Sequence, residues 1–139
     1  MKRILLTLIL VSIASMAVVR AALTPGREYF IILSIYDKVL GSNSDGTKPS
    51  LSAFSAANAQ DYVFVAEEAP TDGYVLLRQK STGRYLAAST SNSYDVVFQG
   101  AKGTSNAYQW RTEEGLDQYV VCKHKTSKCL GIDGGKTLT

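Results

Sequence analysis

The chain writes one short β pattern nearly three times, and that repetition narrows what it can fold into. Tyr29, Tyr74 and Tyr119 each open an apolar run, YFIIL, YVLL and YVV, at intervals of 45 residues. Each is followed by a leucine and a small residue: Leu40-Gly41, Leu86-Ala87 and Leu130-Gly131. Tyr62-Val63-Phe64 and Tyr108-Gln109-Trp110 lie 46 residues apart, and Glu67-Glu68 and Glu113-Glu114 follow them. A fixed period of this size predicts repeated supersecondary units that cannot bury their apolar faces alone. The units run over about 26–70, 71–115 and 116–139, the last of them incomplete.

Within the first unit, Tyr29–Ile35 reads as a strand, because it is aromatic and β-branched with neither Gly nor Pro. Val39-Leu40 starts a second strand, Leu51 and Phe54 mark a third, and Tyr62–Val65 a fourth. The segment Ala53–Ala59 has no clear helix cap and reads as strand and loop. The second unit repeats the plan with Tyr74–Leu77, Arg84–Ala87, Val96–Phe98 and Tyr108–Arg111. The third begins with Tyr119–Val121 and Cys129–Ile132 but lacks a closing Tyr-x-aromatic strand. Turn signals every 8–12 residues argue for an all-β barrel or sandwich.

Helical periodicity is confined to the start. Lys2 and Arg3 precede an uncharged apolar run, Ile4–Val19, and Val19-Arg20-Ala21 offers a cleavage site. Residues 1–21 therefore read as a secretory signal peptide, too short for a full membrane span. Residues 22–139 form one domain of about 118 residues. Its 12 Lys+Arg balance its 12 Asp+Glu, so charge gives no reason to expect nucleic acid or an anionic membrane as partner. The expected location is extracellular, and no cofactor motif is present.

Four strands per unit and a period in the forties look like a β-trefoil. Lys80-Ser81-Thr82-Gly83-Arg84-Tyr85-Leu86, followed by Gln109-Trp110, resembles ricin-B-type lectin repeats and the related fascin-like repeats. That resemblance implies carbohydrate or glycoprotein binding through shallow loop sites. Where the ricin-type repeats place a sugar-gripping Asp, this chain has Gly41, Ala87 and Gly131. Where they place the Gln of Gln-x-Trp, it has Tyr62 and Tyr108. A trefoil closes its last strand against its first. The missing strand is expected either from a partner chain, as in a homo-oligomer, or after a truncation, because an open apolar edge invites aggregation.

Phe54 and Phe98 occupy third-strand positions where the resemblance implies a sugar-stacking ring. Phe98 with Asn106, together with Asn92 and Tyr94 of the polar loop, are the candidate ligand contacts; the competing reading of Phe98 is core packing. Phe64 and Trp110 read as core. Cys122 and Cys129 flank a turn that can bring their Cα atoms within disulfide reach, about 5.5 Å, and closing this loop would contribute about 2 kcal/mol. His124 is the sole histidine, so a metal site is not expected. It has no nucleophile or orienting carboxylate placed by a motif. The two Glu pairs read as solvated strand ends, since neighbours on a strand point to opposite faces. Gly134-Gly135-Lys136-Thr137 is no phosphate loop, because Leu130 stands where its first Gly belongs. The expectation is a secreted, non-enzymatic, lectin-like module. A soybean-type Kunitz protease inhibitor or a structural matrix protein are the alternatives.

Overall fold

A computed structural model describes residues 6–7, 10–11, 18–19, 23–33, 37–89, 96–113, 119–122, 130, 132–133 and 137–138. The fold is all-β. In chain order the strands are Leu6–Thr7 (β1), Leu10–Val11 (β2), Val18–Val19 (β3), Glu28–Tyr29 (β4), Ile32–Leu33 (β5), Lys38–Ser42 (β6), Pro49–Ser52 (β7) and Phe64–Glu68 (β8). Then come Val75–Gln79 (β9), Tyr85–Ala88 (β10), Val96–Gln99 (β11), Trp110–Glu113 (β12), Tyr119–Cys122 (β13), Ile132–Asp133 (β14) and Thr137–Leu138 (β15). Among residues 1–21, those described are short strands rather than helix: β1 pairs with β5 and β2 with β3.

The central path of pairing is β4–β8–β9–β12–β13, every step antiparallel. Strand β9 holds β8 along one edge and divides the other between β12 at Val75 and β10 at Arg78. The first unit divides in the same way. Tyr29 pairs with Phe64, and Ile32 pairs with Val39. Shifting those four positions by 46 residues gives Val75 with Trp110 and Arg78 with Tyr85, which are the observed pairs. The path is open: among the described residues no strand joins β13 back to β4.

This register corrects the tyrosine landmark. The partner of Tyr29 in the second unit is Val75, not Tyr74, and a slip of one residue turns a strand side chain to the other face. Tyr29 is buried, its hydroxyl accepting a hydrogen bond from the Thr24 amide at 2.7 Å. Tyr74 stands outside β9, half-buried, with the Arg111 guanidinium 5.6 Å from its ring centre. The leucine landmark does hold in all three units: Leu40, Leu86 and Leu130 belong to one core cluster with Phe64, Phe98 and Trp110.

The fourth strands start later than the sequence suggests. Ala56–Tyr62 and Asn106–Tyr108 are 3-10 turns, so Tyr62 and Tyr108 close turns instead of opening strands. Their peptide groups are satisfied locally, by Val63 N–H to Gln60 O and Gln109 N–H to Asn106 O. Neither turn has a side-chain cap, so the sequence carries no start signal for them.

Candidate functional site

The hairpin β6–β7 positions the site. Its base carries Asp37 and Lys38 on one side and Ala53 and Phe54 on the other. Phe54 is 56% exposed, the one large apolar side chain so exposed among the described residues. Isolated exposure of a ring is ordinary, but this ring is fixed. The Phe30 ring meets it edge to face, centres 5.6 Å apart, and Tyr62 lies 5.9 Å away. Tyr62 is itself held by the Ser52 hydroxyl, which donates to its oxygen at 3.3 Å. A cleft of about 240 Å³ opens beside Phe54, lined also by Phe30, Ile32, Asp37, Lys38 and Val39. An apolar floor with a few polar groups at its edge is the usual build of a small-ligand site. Asp37 takes φ 51°, in the left-handed region, and is the sole non-glycine residue there among those described. Asp tolerates that region better than most residues, and Asp37 is among the residues that line the cleft.

The anticipated ligand residues are distributed differently. Phe98 is 3% exposed and stacks on Phe64 with ring centres 6.0 Å apart, so its face is closed to any sugar. The register explains this: Phe98 pairs with Leu86 while Leu51 pairs with Leu40, which makes Leu51, not Phe54, the counterpart of Phe98. Asn106 is exposed at the start of its 3-10 turn, apart from the Phe54 cleft. Asn92, Tyr94, His124 and Cys129 lie outside the described residues, and with Cys129 so does the Cys122–Cys129 disulfide. Gly41 and Ala87, where ricin-type repeats place an Asp, are buried. Even a Cβ on Gly41 would come within 3.1 Å of the Tyr62 ring. The surface that an Asp would use there is filled, and the exposed ring stands elsewhere on the hairpin.

Glu67 is not a solvated strand end. Its carboxylate accepts from Arg78 Nε at 2.7 Å and from the Tyr85 hydroxyl at 2.8 Å, and Lys102 Nζ lies 3.3 Å away. Val65, Arg78 and Tyr85 lie side by side on β8, β9 and β10, so Glu67 reaches Arg78 on the diagonal. Burial pushes its carboxyl up, but the bonds from Arg78, Tyr85 and Lys102 together outweigh it and hold the group below its ordinary value of 4.5. Burial and the Glu67 bond raise the Tyr85 phenol. A carboxyl depressed in the folded state stabilises above its unfolded pKa and loses that contribution as pH falls through the folded value. The wild type should therefore lose about 1 kcal/mol more than Glu67→Gln on acidification from about pH 6 to about pH 3, a figure discounted for partial exposure. Urea midpoints across that range check it.

Among the described residues, no set of three or more His, Cys, Asp or Glu is placed to hold a metal ion, and no helix is long and apolar enough to cross a membrane. No protein-family model and no curated protein matches the sequence. A solved structure does share the fold: the GlcNAcα1-4Gal-releasing endo-β-galactosidase from Clostridium perfringens, with a TM-score of 0.69 and 20% identity. The match covers 80% of this chain and 27% of that one, so the chain spans about a quarter of its neighbour's length. This overturns the expectation of a non-enzyme drawn from the sequence. The fold occurs within a glycoside hydrolase, and fold class carries no argument against enzymatic activity.

Proposed function

We propose that the chain is a secreted carbohydrate-binding unit of the β-trefoil type, with the Phe54 ring as its sugar platform. The observation that carries this reading is the fixed, exposed Phe54 beside a cleft edged by Asp37 and Lys38. A pyranose has one face of C–H groups that packs on such a ring, and hydroxyls at its edge that suit a carboxylate and an ammonium. The repeated ladder supports the trefoil assignment, since two successive units divide their first strand between the same two neighbours. The structural neighbour acts on a galactose-containing glycan, as its name says, which supports sugar as the ligand class.

A panel of saccharides including galactose and GlcNAcα1-4Gal tests this. Phe54→Ala should weaken binding at least tenfold. Losing the ring contacts with Phe30 and Tyr62 should cost about 1 kcal/mol, small enough to leave the domain folded during the binding measurement. Absence of binding to every saccharide, or binding untouched by the substitution, rejects the reading.

A further inference from the structure

Strand β1 stands on the edge of β5 that faces away from β6. Leu6 pairs with Leu33 and Thr7 with Ile32. On the other edge, Leu40 N–H donates to Ile31 O at 2.9 Å, so Ile31 turns its peptide groups toward β6. Such groups alternate between the two edges along a strand, so Ile32 turns its own toward Thr7.

The second unit has a strand in the same place. The shift of 46 residues that carries Tyr29 onto Val75 and Ile32 onto Arg78 carries Leu33 onto Gln79. Gln79 pairs with Phe64, and Arg78 with Val65. Leu6–Thr7 therefore holds on the first unit the register that Phe64–Val65 holds on the second. Phe64 opens β8, the fourth strand of the unit that precedes β9. In a closed ring of three units, the unit that precedes β4 and β5 is the third. Its fourth strand would also run beside its own first strand, as β8 runs beside β4 and β12 beside β9. Strand β1 meets that condition too, because it lies against β13.

We infer that Leu6–Thr7 is the fourth strand of the third unit, so that the chain's own N-terminal segment closes the repeat and residues 1–21 stay with the folded domain. The missing strand, expected from a partner chain or after a truncation, stands at the other end of the same chain. An edge covered from within offers no open row of N–H and C=O groups to a second molecule. The same pairing fastens Ile32, which lines the Phe54 cleft.

Nuclear magnetic resonance on the full chain provides the test. Leu6 and Leu33 form a non-hydrogen-bonded pair, with Cα atoms about 4.5 Å apart, so their Hα protons should show a strong nuclear Overhauser effect. In a mixture of labelled and unlabelled protein, that effect should be confined to single chains. The Ile32 amide should exchange at least a hundredfold more slowly than in an unstructured peptide. Thr7→Pro removes the N–H that meets Ile32, and should speed Ile32 exchange at least tenfold while the Leu40 amide, bonded to Ile31, keeps its protection. An effect between chains, or a protected Ile32 with no effect to Leu6, gives the edge to another strand and overturns the inference. So does an Ile32 amide that exchanges freely or ignores Thr7→Pro, and so does an exported protein that begins at Ala22.

Discussion

Trp110→Ala should unfold at a far lower urea concentration than the wild type, with a loss of about 4 kcal/mol. The indole is 1% exposed in the core cluster, and its Nε1–H donates to the Leu86 carbonyl at 2.8 Å. Truncation removes one of the largest buried side chains and leaves a cavity that β12 and β9 cannot close, since Trp110 pairs with Val75 across the seam between them. It also strips the Leu86 carbonyl of its donor. Trp110→Phe separates the two losses. It retains most of the apolar area and sacrifices the hydrogen bond, so about 1–2 kcal/mol should go. Phe64, the counterpart of Trp110 in the first unit, is fully buried and stacks on Phe98. Phe64→Ala should therefore cost about 3–4 kcal/mol, with an unchanged denaturant slope. With domains stable by about 5–15 kcal/mol, either truncation removes a large share of what holds the fold. A loss below about 2 kcal/mol for Trp110→Ala would show the seam repacking freely, contrary to a close-packed core.

Phe64 and Trp110 are readable in the sequence as core because large apolar residues recurring at a fixed spacing have one economical placement, the shared interior. The all-β class was readable for the same reason, from short β-branched and aromatic runs between turns. Facing was not readable. Tyr29 and Tyr74 keep identical spacing to their neighbours in sequence, yet the ladder sets Val75 opposite Trp110, and a one-residue offset moves Tyr74 out of the core. Phe54 and Phe98 look equivalent in sequence, but the ladder sets Leu51 opposite Leu40 as Phe98 is opposite Leu86, and Phe54 falls three residues later, past the end of β7. Glu67 was opaque for another reason. Its partners Arg78, Tyr85 and Lys102 come from separate segments, and nothing local distinguishes it from the exposed Glu68 beside it. The 3-10 turns ending at Tyr62 and Tyr108 lack side-chain caps, so sequence pattern had nothing to register.

Gln79→Leu is expected to cost about 3 kcal/mol although leucine is more apolar and similar in size. Gln79 shares the inward face of β9 with Val75 and Leu77 and has no measurable exposure. Its amide is fully used. Nε2 donates to Ser42 Oγ at 3.0 Å and to the Asp61 carbonyl at 2.8 Å, and Oε1 accepts from the Thr82 hydroxyl at 2.7 Å. Those partners belong to the β6–β7 hairpin, the turn before β8 and the turn after β9, so one side chain ties two units together. A buried Gln is costly in a core unless every group is paired, and here pairing converts the cost into a fixed geometry. Leucine leaves the Asp61 carbonyl and two hydroxyls short of partners, and because these groups are only partly buried each lost bond costs about 1 kcal/mol. Gln79→Glu tests the donor alone. A carboxylate there would turn an acceptor toward the Asp61 carbonyl in a site that disfavours charge, so its folded pKa should rise. Such a group destabilises above its unfolded pKa, and stability should return on acidification as the carboxyl takes up a proton and can donate again. Recovery of Gln79→Glu at low pH, with none for Gln79→Leu, would assign the loss to the hydrogen bonds rather than to packing; parallel pH profiles for the two variants would assign it to shape.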